Sequence, residues 1–303
     1  MFLTNVWQPE VVVNEKIART LICEQFPNLC EFQIKEIGKG FDNTIFSLED
    51  KYLFRFPRRE VAAQLLEIEK KILSIIGTEL PIPTTIPLFY GNSSKQFKWP
   101  FIGYSYIKGK VPNKLSTIER KEMVKPLAKF LKKLHSISVE RMEELGIQRD
   151  QIRRLDLSYR VPQLKKYLEK IFEHKLFQQK EVLVQYINEL KNINLQSKDV
   201  LVHGDLHFRN MIVNVDNELA GIIDWGDAHI GKRAIDLSIV YSIIPKEARN
   251  DFYSIYGEVD EEEKYIAKFK AIYTTILLLL YGFDTNDHSL VKLSQENLLN
   301  ALI

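Results

Sequence analysis

His203, Asp205, His207 and Asn210 crowd into one polar turn behind the apolar run Val200-Leu201-Val202, and Asp224 follows downstream. A carboxylate able to accept a proton, beside a second carboxylate and an uncharged amide oxygen, is what a Mg2+-dependent phosphoryl transfer requires. The chain between Asn210 and Asp224 reads as a β-hairpin, residues 211–215 and 219–223, around the turn signal Asp216-Asn217. With that turn centred on Asn217, Asn210 and Asp224 become cross-strand partners at its open end. Asp205 lies one turn away.

His203-x-Asp205-x4-Asn210 has the spacing of the kinase catalytic loop, and Ile222-Ile223-Asp224-Trp225-Gly226 stands where D-F-G would follow. The wording HGDLH…N and IIDWGDA resembles the aminoglycoside phosphotransferase family more than the protein kinases. The resemblance implies a two-lobed, protein-kinase-like α+β fold. A small β-rich, nucleotide-binding N-terminal lobe would span residues 1–107 and end at a hinge. A large helical C-terminal lobe, residues 108–303, would carry the catalytic hairpin and the acceptor site. The implied activity moves the γ-phosphoryl group of ATP or GTP to the hydroxyl of a small molecule, first of all an aminoglycoside-type antibiotic. Macrolide, choline, homoserine and sugar kinases share this scaffold, so the acceptor stays open. A nucleotide-binding scaffold without catalysis is the rival reading.

Under this resemblance Asp205 accepts or orients the hydroxyl, Asn210 and Asp224 hold Mg2+, and His203 orders the loop by hydrogen bonding. His207 sits where many protein kinases place a Lys near the γ-phosphate; a surface His is the alternative. Asp236, at a later helix start, is expected to cap N–H groups and brace the catalytic loop. No A-P-E segment follows Asp224, which disfavours a protein kinase.

The N-terminal part must supply the nucleotide contacts. Residues 11–25 read as a helix, and residues 32–50 as two strands flanking Ile37-Gly38-Lys39-Gly40-Phe41-Asp42-Asn43-Thr44. Gly38 and Gly40 would let backbone N–H groups approach a phosphate, with Asn43 and Thr44 as further contacts; a plain hairpin turn fits the same residues. In the strand Tyr52–Pro57, Tyr52, Phe54 and Phe56 share one face and Arg55 takes the other. Family members carry Lys at that position to hold the α/β-phosphates and pair with a helix Glu; the guanidinium is a departure.

The helix expected over Glu60–Ile76 has its apolar stripe at Val61, Leu65, Ile68, Ile72 and Ile76. At about 100° per residue, Glu69 lies roughly 65° from the stripe's centre and can lean toward Arg55. Ser105-Tyr106-Ile107 falls at the implied hinge, where backbone groups would meet a purine. Ser116-x-x-Glu119 is a capping box opening one helix to His135, which is expected to cap carbonyls.

Composition narrows the partners. Basic residues number 42 and acidic residues 40, against the strongly basic footprint of a nucleic-acid or membrane-surface protein. The run at residues 276–280 is short of the ~18 apolar residues a membrane span needs. Cys23 and Cys30 alone suggest neither a zinc site nor a disulfide framework, and a reducing cytoplasm fits. A monomer or weak dimer is expected. Residues 247–263 hold seven acidic and one basic residue. With Asp284 they could line a pocket for a cationic acceptor, or form a solvated acidic surface.

Overall fold

The structure, a computed structural model, describes residues 9–39 and 42–303. The chain forms two compact units. Unit 1 extends to Lys108 and regains residues 221–228; unit 2 holds residues 109–220 and 229–303.

Unit 1 opens with helix α1 (Glu15–Gln25), capped by the Asn14 side chain, which accepts the Ile17 N–H at 2.9 Å. That cap sets the start later than the expected residue 11. Strands β1 (Ile34–Lys39), β2 (Asn43–Leu48), β3 (Tyr52–Pro57), β4 (Pro87–Gly91) and β5 (Phe101–Ser105) form one antiparallel sheet in the order β1-β2-β3-β5-β4. Strand alternation buries Phe54 and Phe56 with Phe46, Phe97 and Phe101, and the Phe56 and Phe101 rings stack at 4.6 Å. Such a tight aromatic layer leaves no room at Gly103. A Cβ there would come within 2.5 Å of the Phe54 ring. Gly103→Ala is therefore expected to cost about 1–3 kcal/mol, read as a lower urea midpoint.

Helix α2 (Glu60–Ile76) has the expected limits but a different buried face: Ala62, Ala63, Leu66, Glu69, Ile72, Leu73 and Ile76. Val61, placed on the apolar stripe from periodicity, is 55% exposed. Glu69 lies within the buried face rather than at its margin. An ion pair rotated the helix, and an apolar count cannot weigh an ion pair.

Unit 2 begins with α3 (Thr117–Glu122) and α4 (Val124–Leu134). Both halves of the capping box form: Ser116 Oγ accepts the Glu119 N–H, and the Glu119 carboxylate accepts the Ser116 N–H at 2.6 Å. The expected single helix is broken at Met123, which puts Pro126 in the first turn of α4, where its missing N–H costs nothing. Helices α5 (Val139–Glu144), α6 (Leu157–Glu173) and α7 (Lys180–Asn188) follow. Strand β6 (Asp199–Val202) pairs antiparallel with β9 (His229–Lys232), and the loop carrying Asp205 leaves the end of β6. Between them run β7 (Met211–Val213) and β8 (Leu219–Ile222).

The hairpin turn differs from expectation by one residue. The Asn214 N–H donates to the Glu218 carbonyl at 3.0 Å, which centres the turn on Asp216. Asn217 takes the left-handed φ of 60° inside it. The side chain of Asn214 sets this register by accepting the N–H groups of Asp216 and Glu218, both at 2.9 Å.

Helices α8 (Ala234–Ser242), α9 (Arg249–Tyr256), α10 (Glu261–Asp284) and α11 (His288–Leu302) complete unit 2, with α10 packed on α8 and α11. By length and composition α10 could cross a bilayer, contrary to the reading from residues 276–280 alone. In the fold, 67% of its most apolar 18-residue window is buried.

Candidate active site

The candidate residues divide between the units. In unit 2 the loop is tied down from beneath. Asp236, fully buried near the start of α8, accepts the His203 N–H at 2.7 Å and the Gly204 N–H at 3.0 Å. Gly204 needs the left-handed φ of 85° for that turn. Asp236 also meets His135 Nε2 at 3.2 Å, and His135 Nδ1 lies 2.7 Å from the Tyr256 hydroxyl. Burial works against the charge on Asp236, yet His135, His203 and the His203 N–H hold its carboxyl below the usual range. An ionised Asp236 only accepts, so His135 donates to it from Nε2. Arg233, over the Tyr256 ring at 5.9 Å, extends this support to the fully buried Glu263, which takes its Nε at 3.0 Å. The bracing role expected of Asp236 is present; capping of its own helix is not. His135 bonds a carboxylate and a phenol rather than the expected carbonyls.

Above this support, His203 Nδ1 accepts the Asp205 N–H at 3.3 Å, so His203 orders the loop. The Asp205 side chain is 38% exposed and meets His207 Nε2 at 3.2 Å. Partial burial opposes its charge, but His207, Lys270 and His203 outweigh it and hold the carboxyl well below the usual range. Asn210 is fixed by its Nδ2, which donates to the Asp205 carbonyl at 2.9 Å. Among the described residues its Oδ1 accepts no hydrogen bond. His207 thus faces Asp205, and Lys270 is a neighbour of Asp205 that the motif did not reveal.

In unit 1, Arg55 donates from Nη1 to Glu69 Oε2 at 2.6 Å and from Nη2 to Asp224 Oδ1 at 2.7 Å. Glu69 Oε2 also accepts the Trp225 N–H at 3.1 Å. Asp224 has a left-handed φ of 67°, uncommon for a residue with a Cβ and suited to its short polar side chain. Its side chain is 49% exposed, and among the described residues Oδ2 takes no hydrogen bond.

The oxygen donors fit Mg2+, which binds through one or two carboxylates plus substrate phosphates and water. Among the described residues, Asn210 Oδ1 and Asp224 Oδ2 accept no hydrogen bond, and each is the kind of oxygen such an ion takes. Among the described residues no group of three His, Cys, Asp or Glu gathers into a metal cage. An ion delivered with phosphates needs no such cage.

The remaining nucleotide-binding expectations fare unevenly. Gly38 sits at a register shift of β1, and an added Cβ would meet nothing within 4 Å. Gly40 lies outside the described residues. Asn43 and Thr44 are buried in β2 rather than open to a phosphate, because both are paired into the sheet opposite Pro57 and Phe56. Ser105 and Tyr106 spend their N–H groups on the Ile86 and Lys51 carbonyls, at 3.1 Å each, so they do not offer the expected donors. Among the described residues, Ile107 makes no such backbone bond. Its side chain lies against Gly221, where a Cβ would come within 2.9 Å.

Several members of the acidic run are already engaged within the fold. Glu263 is buried against Arg233, Glu247 pairs with Lys121 at 3.1 Å, and Glu261 with Lys264 at 2.6 Å. Asp260 caps α10, and Asp284 meets Lys170 at 2.6 Å.

Comparison with known proteins agrees with the fold expected from the motif. A family model described as the phosphotransferase enzyme family matches residues 33–270. Among solved structures, the GDP complex of aminoglycoside 2'-phosphotransferase-IIIa superimposes with a TM-score of 0.70 at 21% identity, over 96% of this chain and 99% of that one. The streptomycin–ATP ternary complex of APH(2")-IIa gives 0.59 at 21%, over 95% and 99%. Macrolide 2'-phosphotransferase type I gives 0.56 at 14%, over 95% and 98%. At such identities the likeness establishes the kinase-like fold.

Proposed function

The chain belongs to the phosphotransferase enzyme family, and from that premise we propose that it transfers the γ-phosphoryl group of ATP or GTP to a hydroxyl of a small molecule. The observation that carries this reading is Asp205, held charged and half-open on a loop that buried Asp236 fixes through two N–H groups. In the reaction, the acceptor oxygen forms a bond to the γ-phosphorus as the bond to the β-bridging oxygen breaks. The hydroxyl proton passes to Asp205, and the nucleoside diphosphate leaves. Asn210 and Asp224 would hold Mg2+, and Arg55, steadied by Glu69, would bind the α/β-phosphates. When bound, the metal would neutralise charge on the β- and γ-phosphates. His207, 3.2 Å from the Asp205 carboxylate, favours its ionised form.

Two acceptor classes follow from the relatives. An aminoglycoside-type acceptor is a polycation and calls for clustered carboxylates. The charges here favour an acceptor with fewer amines, such as a macrolide or a small neutral alcohol. Glu263 is locked in a buried pair, and Lys270 bears on the proton acceptor itself. A nucleotide-turnover assay coupled to acceptor panels tests both levels. Macrolides or neutral alcohols are expected to stimulate turnover about tenfold more than kanamycin, a difference of roughly 1.4 kcal/mol. Stimulation by aminoglycosides alone would reverse the acceptor assignment. Nucleotide binding with no acceptor-dependent turnover would favour the non-catalytic scaffold.

A further inference from the structure

Arg55 serves two carboxylates at once, one fully buried and one half-exposed. Its guanidinium is always charged and carries five N–H donors in a rigid fork. Among the described residues, Nη1 and Nη2 alone are engaged, and Arg55 Nε is buried without a hydrogen-bond partner. An unused donor on a buried guanidinium marks an arrangement that a further acceptor would complete. Asp224, meanwhile, has one oxygen committed to Arg55 and one open.

We propose that Arg55 is a latch that couples metal binding to nucleotide binding, an inference resting on the assignment of Asp224 to metal and Arg55 to phosphate. Without nucleotide, Arg55 neutralises Asp224, and a divalent cation meets a carboxylate already paired with a positive charge. An α- or β-phosphate draws Nη2 and Nε toward itself and releases Asp224 Oδ1. Glu69 keeps Nη1 in both arrangements, because a buried carboxylate cannot give up its only counter-charge. The fork matters because one nitrogen can stay on the pivot while the other changes partner. By reciprocity, phosphate and metal each tighten the other's binding by the same factor.

The test is Mn2+ binding to the full chain, followed by electron paramagnetic resonance. The key variant is Arg55→Lys, which keeps the charge but has one nitrogen. That ammonium goes to buried Glu69 and leaves Asp224 open, so Mn2+ alone should bind at least about fivefold tighter than to the wild type. Equal affinities in the two proteins would overturn the latch. The wild type provides a second reading should the variant fail to fold. AMP should tighten Mn2+ binding at least about fivefold beyond its own chelation of the ion, and adenosine should not. Equal effects of AMP and adenosine would overturn the latch as well. Mn2+ binding unchanged in Asp224→Asn would instead overturn the assignment of Asp224 to metal, on which the latch depends.

Discussion

Asp205→Asn is expected to lower acceptor-dependent turnover by about 10²–10⁴-fold, the range for loss of a positioned proton acceptor. The substitution keeps the side chain's shape and an accepting oxygen. It also leaves the Asn210 amide in place, since its shorter bond is to the Asp205 backbone carbonyl and not to the carboxylate. What disappears is the site for the hydroxyl proton. Nucleotide affinity should change little, so kcat rather than the nucleotide KM carries the loss. The wild-type pH profile makes a second check. His207, Lys270 and His203 hold the Asp205 carboxyl below its ordinary value against the cost of burial. Asp205 therefore stays ionised through the neutral range, and no acid limb from it should appear above about pH 4. Steady-state kinetics on both proteins decide the matter. A variant with wild-type turnover would remove Asp205 from the chemistry.

Much of this site was legible because its signals are local. The spacing of His203, Asp205 and Asn210 fits one turn, and strand alternation in Tyr52–Pro57 put Arg55 opposite the phenylalanines without any tertiary information. The Arg55–Glu69 pair was likewise readable once α2 was seen to follow β3. What failed depended on competition between distant groups. Periodicity set Glu69 at the margin of the apolar face, whereas Arg55 drew it fully inside. The hairpin register turned on the Asn214 side chain, which captured two N–H groups and moved the centre to Asp216. His135 was read as a local cap, yet its partners stand 101 and 121 residues away in sequence. Lys270 gave no signal at all. One of three lysines in α10, it reads as part of a solvated face until the fold sets it near Asp205.

The second large effect concerns the support and not the chemistry. Asp236→Ala is expected to destabilise unit 2 by about 3–5 kcal/mol, the range for removing one member of a buried charged cluster. The loss has three parts: the N–H groups of His203 and Gly204 become unsatisfied, and His135 Nε2 loses its acceptor. Because the same two N–H groups hold the turn that presents Asp205, turnover should fall even in conditions where the variant is folded. Asp236→Asn separates charge from shape. It preserves an accepting oxygen for one N–H but turns an amide toward another donor, so an intermediate loss is expected. The pH dependence gives the sign. Burial favours the protonated acid, but His135, His203 and the loop N–H lower the folded pKa beneath that of the unfolded chain. The stabilisation from Asp236 is then complete above about pH 4, near the unfolded value, and is lost as the pH falls through the folded one. Urea unfolding at neutral pH and below pH 4 should show the wild type losing stability on acidification more steeply than Asp236→Asn. Parallel curves for the two proteins would mean that the carboxylate's charge does not hold the loop, and the brace would reduce to packing alone.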